Sequence, residues 1–346
     1  LNDPRKLTGM YTDEEIKDMS DEEYRNNLYS LWTNYCVSES YEPGSTFKPV
    51  TVASALEEGV VKDGDTYVCK GFETVADYKL KCHVFSTIGS HGSLTVEQAL
   101  MNSCNPYMIH LALEMGNSRF AYYQSLFGFG KITGIDLPGE TTGIVYGDRM
   151  TTIDAACNSF GQTINVNMMQ MMAAYCSIIN GGMLYQPHIV KRIESANGEV
   201  VKEYKANLVR QTITASTSKL LRRYLKNTVE EGTAKKAGVT GYSVAGKTGT
   251  AQKGDRKDNK WIISFIGHAP AENPKFAIYV VIDEPYGTTG TSGSSADVLT
   301  LTHNILEKLL PYMNVYKDAS DEYEDTSSSP DELTVDGIPA GTASSN

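Results

Sequence analysis

Helical spacing of apolar residues runs through much of the chain, and strand-like runs gather only near its end. Thr12 with Glu15 and Ser20 with Glu23 each place a hydroxyl three residues before a carboxylate, a pairing that satisfies orphan N–H groups at a helix start. Two short helices are predicted between residues 12 and 34. Residues 45–58 predict a third, stopped by Gly59, and residues 60–94 read as a loop-rich excursion full of turn formers. Thr95 with Gln98 caps another helix, which Pro106 interrupts, so that 107–116 forms a new one. Residues 167–179 predict a helix closed by Asn180-Gly181-Gly182; its methionines (Met168, Met169, Met171, Met172) read as core filler. A hairpin around Asn197-Gly198 follows, then a helix over 216–231 with Ser216 as its N-cap. Three β-rich runs, 242–252, 261–268 and 276–283, should pair antiparallel, and a closing helix is predicted over 293–310. This order makes the fold α+β, an antiparallel sheet with helices on its faces.

Charge divides the chain in two. Of the net −11, eight acidic residues with no Lys or Arg lie from Asp318 onward, which leaves the body at 31 basic against 34 acidic residues, a net −3. Residues 318–346 are acidic, Ser-rich and aperiodic, and read as a disordered tail; residues 1–317 read as one domain. The nearly neutral body lacks the basic stripe that nucleic acid requires. No apolar run approaches the ~18 residues needed to cross a bilayer. The chain opens on Leu1 and reads as an N-terminally truncated piece of something longer, with any membrane anchor upstream.

Three short patterns occur in order: Ser45-Thr46-Phe47-Lys48, Ser103-Cys104-Asn105 and Lys247-Thr248-Gly249. The first two are short enough to recur by chance, and Ser216-Thr217-Ser218-Lys219, Ser195-Ala196-Asn197 and Ser344-Ser345-Asn346 do repeat them. The first copies have the better surroundings. Ser45 and Lys48 are one helical turn apart, so both emerge on one face near a helix N-terminus. The amine can take the serine proton if it is desolvated or set beside another cation. Pro106 disfavours the α conformation at Asn105, so the helix breaks there and Ser103 and Asn105 can face one cleft. Gly246 and Gly249 let a substrate backbone lie close to the strand carrying Lys247. Strict alternation cannot aim both Lys247 and Thr250 inward.

Around these patterns the chain resembles the class B penicillin-binding proteins. The stretches are Tyr41-Glu42-Pro43-Gly44-Ser45-Thr46-Phe47-Lys48-Pro49, Asn102-Ser103-Cys104-Asn105-Pro106, Thr133-Gly134-Ile135-Asp136-Leu137-Pro138-Gly139-Glu140, Ser159-Phe160-Gly161-Gln162, and Val244-Ala245-Gly246-Lys247-Thr248-Gly249-Thr250-Ala251-Gln252. The resemblance covers residues 28 to 312 and is similar to the elongation, division or sporulation transpeptidases of Gram-positive anaerobes. It implies a β-lactamase/transpeptidase-like fold and a peptidoglycan D,D-transpeptidase that cross-links stem peptides through a serine acyl-enzyme and binds penicillin covalently. In that reading Ser45 is the nucleophile, Lys48 its base, Ser103 a proton relay and Asn105 a ligand of the donor backbone. Lys247 supplies charge, and Thr248, Gly249 and Thr250 hold the substrate carboxylate. Backbone N–H groups of Ser45 and Thr250 form the oxyanion hole. The resemblance also implies stem peptides and β-lactams as ligands, glycosyltransferase or morphogenesis partners in the membrane, no nucleic acid, no cofactor for catalysis, and an extracytoplasmic domain anchored to the cell membrane. Two departures stand out: Thr163 where the family usually has Gly, and Asn167-Met168-Met169-Gln170 where it usually has Thr-Pro-Leu-Gln. The central strands that open the family's domain are missing, which predicts an unfilled position in the sheet. A β-lactamase would need a deacylating base, and a β-lactam sensor a signalling segment; both remain alternatives.

The six cysteines contain no CxxC pair. Cys69 and Cys82, thirteen residues apart, flank a turn-prone stretch and should be neighbours. A disulfide would stabilise by roughly 2–4 kcal/mol. A structural zinc held by Cys69, Cys82 and His91, with Asp77 or His83 as fourth ligand, would staple the excursion ahead of Ser103. Two independent thiols are the plain alternative. His110, His188, His268 and His303 show no metal or triad spacing.

Overall fold

Why the middle of this chain is helical and its end is sheet becomes visible in the core that each part buries. The computed structural model describes residues 12–254, 260–285 and 294–318. Two short helices, α1 (Asp13–Asp18) and α2 (Asp21–Trp32), and the single turn α3 (Tyr35–Ser38) lead to a 3-10 turn at Gly44–Phe47 that runs directly into α4 (Lys48–Glu58). α4 stops where predicted, with Gly59 left-handed at φ 78°, a conformation in which a Cβ would be strained. The excursion read as loop holds four short strands: β1 (Thr66–Cys69), β2 (Phe72–Val75), β3 (Tyr78–Lys81) and β4 (Gly92–Thr95). They pair β1 with β4 and β2 with β3. Each is four residues long, and only Cys69, Val75 and Leu94 among them are buried, which leaves periodicity nothing to detect.

The helical body follows: α5 (Val96–Met101), α6 (Asn105–Met115), α7 (Asn117–Leu126), α8 (Thr152–Asn158) and α9 (Met168–Ile179). α7 and α8 lie where the pattern predicts no element. β5 (Met183–Gln186) pairs with β8 (Asn207–Gln211) around the exposed hairpin of β6 (Arg192–Glu194) and β7 (Val200–Glu203). α10 (Ala215–Glu230) is capped by Thr214, whose side chain accepts from the Thr217 N–H, so Ser216 sits inside the first turn rather than at the cap. The three predicted strands are β9 (Ala245–Lys253), β10 (Lys260–Ala269) and β11 (Phe276–Asp283), antiparallel with β10 in the centre. α11 (Ala296–Tyr312) closes the described chain.

Alternation along β10 divides the core. Ile263 and Phe265 pack with Val298, Leu299, Leu306 and Leu310 of α11. Ile266 joins the larger cluster built on Phe47, Tyr107, Phe129 and Tyr175 from the helical body. Every residue of β11, which flanks β10, is half-buried. His268 faces the helical body from the end of β10 and is fully buried. Its Nε2 lies 3.1 Å from the Ala271 carbonyl oxygen and its Nδ1 2.8 Å from the Tyr175 hydroxyl. A neutral ring donating to the carbonyl and accepting from the tyrosine satisfies both contacts. Burial pulls the His268 pKa down to about 4.

The acidic tail beyond 318 lies outside the described residues. Asp318, assigned to that tail, is bonded to the body: its N–H donates to the Gly241 carbonyl at 3.0 Å, and its carboxylate accepts from the Ser243 N–H at 2.7 Å and from the Ser243 hydroxyl.

Two measurements check these assignments. Deleting 319–346 should leave the melting temperature unchanged, whereas Asp318→Ala should cost about 1 kcal/mol through lost charge-assisted hydrogen bonds on an exposed carboxylate. For His268, the unfolded ring binds a proton at pH about 6.5 and the folded ring only near 4. The unfolded state therefore holds more protons in that window, and stability falls as pH drops through it, by roughly 3 kcal/mol in all. Urea titrations should show a shallower acid limb in His268→Gln than in the parent; equal slopes would remove this histidine from the acid response.

Candidate active site

Glycines allow the two halves of the site to meet. A Cβ on Gly249 of β9 would stand 2.5 Å from Ser264 Oγ, 2.8 Å from Thr46 Cγ2 and 2.9 Å from the Pro43 carbonyl oxygen. A Cβ on Gly44, at φ 57°, would stand 2.5 Å from the Thr250 carbonyl oxygen. The backbone just ahead of Ser45 and the backbone of Gly249-Thr250 are therefore in direct contact. Gly161 closes on the same turn from the other side, accepting from the Gly44 N–H at 2.9 Å. A hydroxyl network fixes the turn: Thr46 donates to the Pro43 carbonyl at 2.8 Å and lies 3.3 Å from the Tyr279 hydroxyl, to which Tyr41 donates at 2.8 Å.

Ser45 is half-buried in the 3-10 turn, and the Lys48 N–H donates to its carbonyl. The Lys48 side chain is fully buried. Its Nζ lies 2.6 Å from the Ser103 carbonyl oxygen, 3.0 Å from Ser103 Oγ and 2.7 Å from Asn105 Oδ1. Three acceptors match the three protons of an ammonium. Burial nevertheless pulls the Lys48 pKa down to about 8, with Cys82 and Cys104 opposing the shift. A neutral amine is therefore accessible near neutrality, as removing a serine proton requires.

Ser103 and Asn105 converge because the chain breaks between α5 and α6. Ser103 adopts φ 54°, a left-handed backbone that costs a non-glycine residue about 1–3 kcal/mol. Cys104 is extended, and Asn105 is already the first residue of α6. The break thus precedes Asn105 instead of falling on it, as the effect of Pro106 alone predicts. Asn105 is gripped at both ends of its amide, by Lys48 at Oδ1 and through Nδ2 donating to the Lys81 carbonyl at 3.2 Å.

Lys247 is fully buried, its Nζ 3.3 Å from the Thr248 carbonyl oxygen and 3.5 Å from the Thr248 hydroxyl. Burial, reinforced by the charge of Lys48, holds its pKa well below the usual lysine value. The alternation problem resolves itself here. Lys247 and Gly249 face the helical body, and Thr250 meets the serine turn through its backbone rather than its side chain. Thr163 also finds an explanation. It sits at φ 60°, a conformation natural to glycine, held by its N–H donating to Glu42 at 2.9 Å and by Asn158 donating to its hydroxyl at 2.9 Å. Asn167 caps α9 and forms a capping box with Gln170.

Behind the Ser103–Asn105 segment lies a second cluster. Ligand atoms of Cys69, Cys82, His91 and Cys104 all fall within 4.8 Å of one another, and the three cysteines are buried free thiols. His91 Nδ1 is 3.8 Å from Cys69 Sγ and 3.6 Å from Cys82 Sγ. Cys69 and Cys82 are thus neighbours, as expected, without a disulfide. Cys104 joins them in that cluster, and His83 Nδ1 lies 3.8 Å from Cys82 Sγ. Sequence reading missed it because Cys104 is the middle letter of the Ser103-Cys104-Asn105 pattern, where it reads as a spacer; its signal was a third thiol near a pair already suspected. Hydrogen bonds from Cys104, His83, His91 and the Asn105 N–H hold the Cys82 thiol low, and that same contact with Cys82 pushes Cys104 up.

Residues 11–307 match the family described as penicillin binding protein transpeptidase domain. The chain is 41% identical over 288 residues to stage V sporulation protein D of Bacillus subtilis strain 168, covering 82% of this chain and 44% of that protein. It is 32% identical over 292 residues to peptidoglycan D,D-transpeptidase FtsI of Escherichia coli K12, covering 83% and 46%. It spans less than half the length of these relatives. The fold superposes on penicillin-binding protein 3 of Mycobacterium tuberculosis in complex with ampicillin with a TM-score of 0.75 at 29% identity, covering 84% of this chain and 66% of that one. A peptidoglycan synthetase from Bifidobacterium adolescentis gives 0.75 at 27%, covering 87% and 53%. With its serine, lysine and glycine-lined strand so arranged, the chain belongs to the penicillin-binding protein transpeptidase domain family.

Proposed function

We propose that the chain is the catalytic part of a peptidoglycan D,D-transpeptidase, acylated at Ser45. The observation that carries this reading is the Lys48 amine, buried beside Lys247 and held by Ser103 and Asn105 one turn from Ser45. Ser45 Oγ loses its proton to Lys48 and attacks the carbonyl of the penultimate D-alanine of a stem peptide. The oxyanion meets the N–H groups of Ser45 and Thr250, and Ser103 returns the proton to the departing D-alanine nitrogen. Asn105 aligns the donor backbone, and Lys247, Thr248, Gly249 and Thr250 bind the terminal carboxylate. An amine of a second stem peptide then takes the acyl group and frees Ser45. A β-lactam enters the same path and stays on the serine.

The setting proposed with it is extracytoplasmic, at the cell membrane, alongside a glycosyltransferase that supplies the glycan, and without nucleic acid. No helix among the described residues is long and apolar enough to cross a membrane. We also read Cys69, Cys82 and His91 as ligands of a structural zinc ion; their mutual distances support it.

A fluorescent penicillin tests the assignment. Ser45→Ala should lose labelling by at least about a thousandfold, as removal of a nucleophile does, and Ser216→Ala should label like the parent. An adduct mapped to Ser216 or Ser103 would refute the role of Ser45. Label shed within minutes would indicate a β-lactamase, and label stable for hours a transpeptidase.

A further inference from the structure

The turn Gly161–Thr163 packs against the backbone just ahead of Ser45, and two side chains that the acylation mechanism does not use hold it there. Asn158 is fully buried and Glu42 half-buried. We propose that Glu42 and Asn158 are positioning residues, which clamp Thr163 from two sides and, through Gly161, aim the Ser45 N–H at the oxyanion. This role rests on the transpeptidase reading of the site.

A single peptide group links the turn to the oxyanion hole. The Gly44 carbonyl and the Ser45 N–H belong to one planar unit, so whatever fixes the carbonyl also fixes the direction of the N–H. Gly161 does this at contact distance. A Cβ there would stand 2.0 Å from the Gly44 carbonyl oxygen and 2.7 Å from its carbon, and the Gly161 carbonyl accepts from the Gly44 N–H at 2.9 Å. Farther along the same two segments, Tyr41 and Val166 exchange N–H to carbonyl bonds at 3.1 and 3.0 Å. Thr163 lies between these two ties, left-handed at φ 60°, a backbone that a β-branched residue strongly disfavours. Any relaxation of Thr163 would therefore pull on Gly161 and tilt the Gly44–Ser45 peptide.

Thr163 keeps its conformation because its N–H and its hydroxyl are both held. The N–H donates to Glu42 Oε1 at 2.9 Å, a carboxylate two residues ahead of Gly44. The hydroxyl accepts from Asn158 Nδ2 at 2.9 Å, and the same nitrogen donates to the Gln162 carbonyl at 3.1 Å. Asn158 is itself fixed from behind, its Oδ1 accepting from Gln124 Nε2 of α7 at 3.1 Å. Gln124 is buried, and its Oε1 has no partner among the described residues. An unpaired buried acceptor is destabilising, which marks the amide pair as serving the turn rather than the core. Burial raises the Glu42 pKa and the Thr163 N–H opposes the shift. The clamp needs only an oxygen that accepts, and a neutral amide in the same place supplies one.

Acylation by a fluorescent penicillin, resolved into affinity and rate, tests the role. The Ser45 N–H meets charge that develops only in the transition state, so loosening the clamp should slow acylation and leave penicillin affinity within about twofold. Glu42→Ala and Asn158→Ala should each slow the step about tenfold or more, short of the several-hundredfold loss of a whole oxyanion donor. Glu42→Gln, which keeps the acceptor, should acylate within about twofold of the parent and with the same pH profile. Glu42→Gln as slow as Glu42→Ala would overturn the positioning role in favour of the carboxylate charge, and this pair decides the matter even where Asn158→Ala fails to fold. Glycine takes a positive φ freely, so adding Asn158→Ala to Thr163→Gly should cost less than about threefold. An undiminished cost there would remove Thr163 as the point through which Asn158 acts. A labelled parent whose Glu42→Ala and Asn158→Ala variants acylate at the parent rate, or lose affinity instead of rate, would overturn the role alone. A parent that penicillin never labels would overturn the transpeptidase reading and this role with it.

Discussion

One buried ammonium group holds this structure to its purpose. Lys48 has no solvent exposure, and an isolated charge at such a depth would be several kcal/mol unfavourable. It is tolerated because three oxygens converge on it, two from Ser103 and one from Asn105. The requirement is reciprocal. Ser103 can occupy its left-handed conformation only where neighbours over-determine it, and the lysine bond to its carbonyl is one such constraint. The helix break, the turn at Ser45 and the depth of the cleft therefore form one set of mutually dependent features.

The sheet contributes a second buried lysine and the surface against which the first is set. Lys247 and Lys48 repel each other, and neither has a carboxylate among the hydrogen-bond partners seen here. Both are consequently easier to deprotonate than a surface lysine. Gly44, Gly161 and Gly249 let three backbone segments close on the turn that leads into Lys48. Electrostatic strain at the centre sits beside close backbone packing.

Much of this was legible beforehand. Spacing alone placed Ser45 and Lys48 on one turn, and proline chemistry foresaw a helix break near Asn105. The antiparallel pairing of the last three strands followed from three β-rich runs separated by short polar connections. What escaped had physical reasons. Pro106 predicts that the chain must break but not that a serine will take a positive φ to do it. β1 to β4 bury too few side chains to show a period. The pairing of Cys104 with Cys69 and Cys82 spans thirty-five and twenty-two residues of chain, and nothing in local pattern reports on such a distance. Asp318 was placed in the tail for a related reason: it is held by hydrogen bonds from Ser243, remote in sequence.

The weakness of that excursion also explains where a cross-link would matter most. Its two ladders are four residues long, and three of their sixteen residues are buried, too little apolar area to fix a segment by packing alone. Yet it supplies the carbonyl that orients Asn105, a contact whose value depends on position to within a fraction of an ångström. A loosely packed segment can give that accuracy only if something else pins it. The thiols of Cys69 and Cys82 sit at the end of β1 and just after β3, the points where the excursion meets α6. A metal bonded there would restrain the part of the chain that carries the Lys81 carbonyl to the cleft.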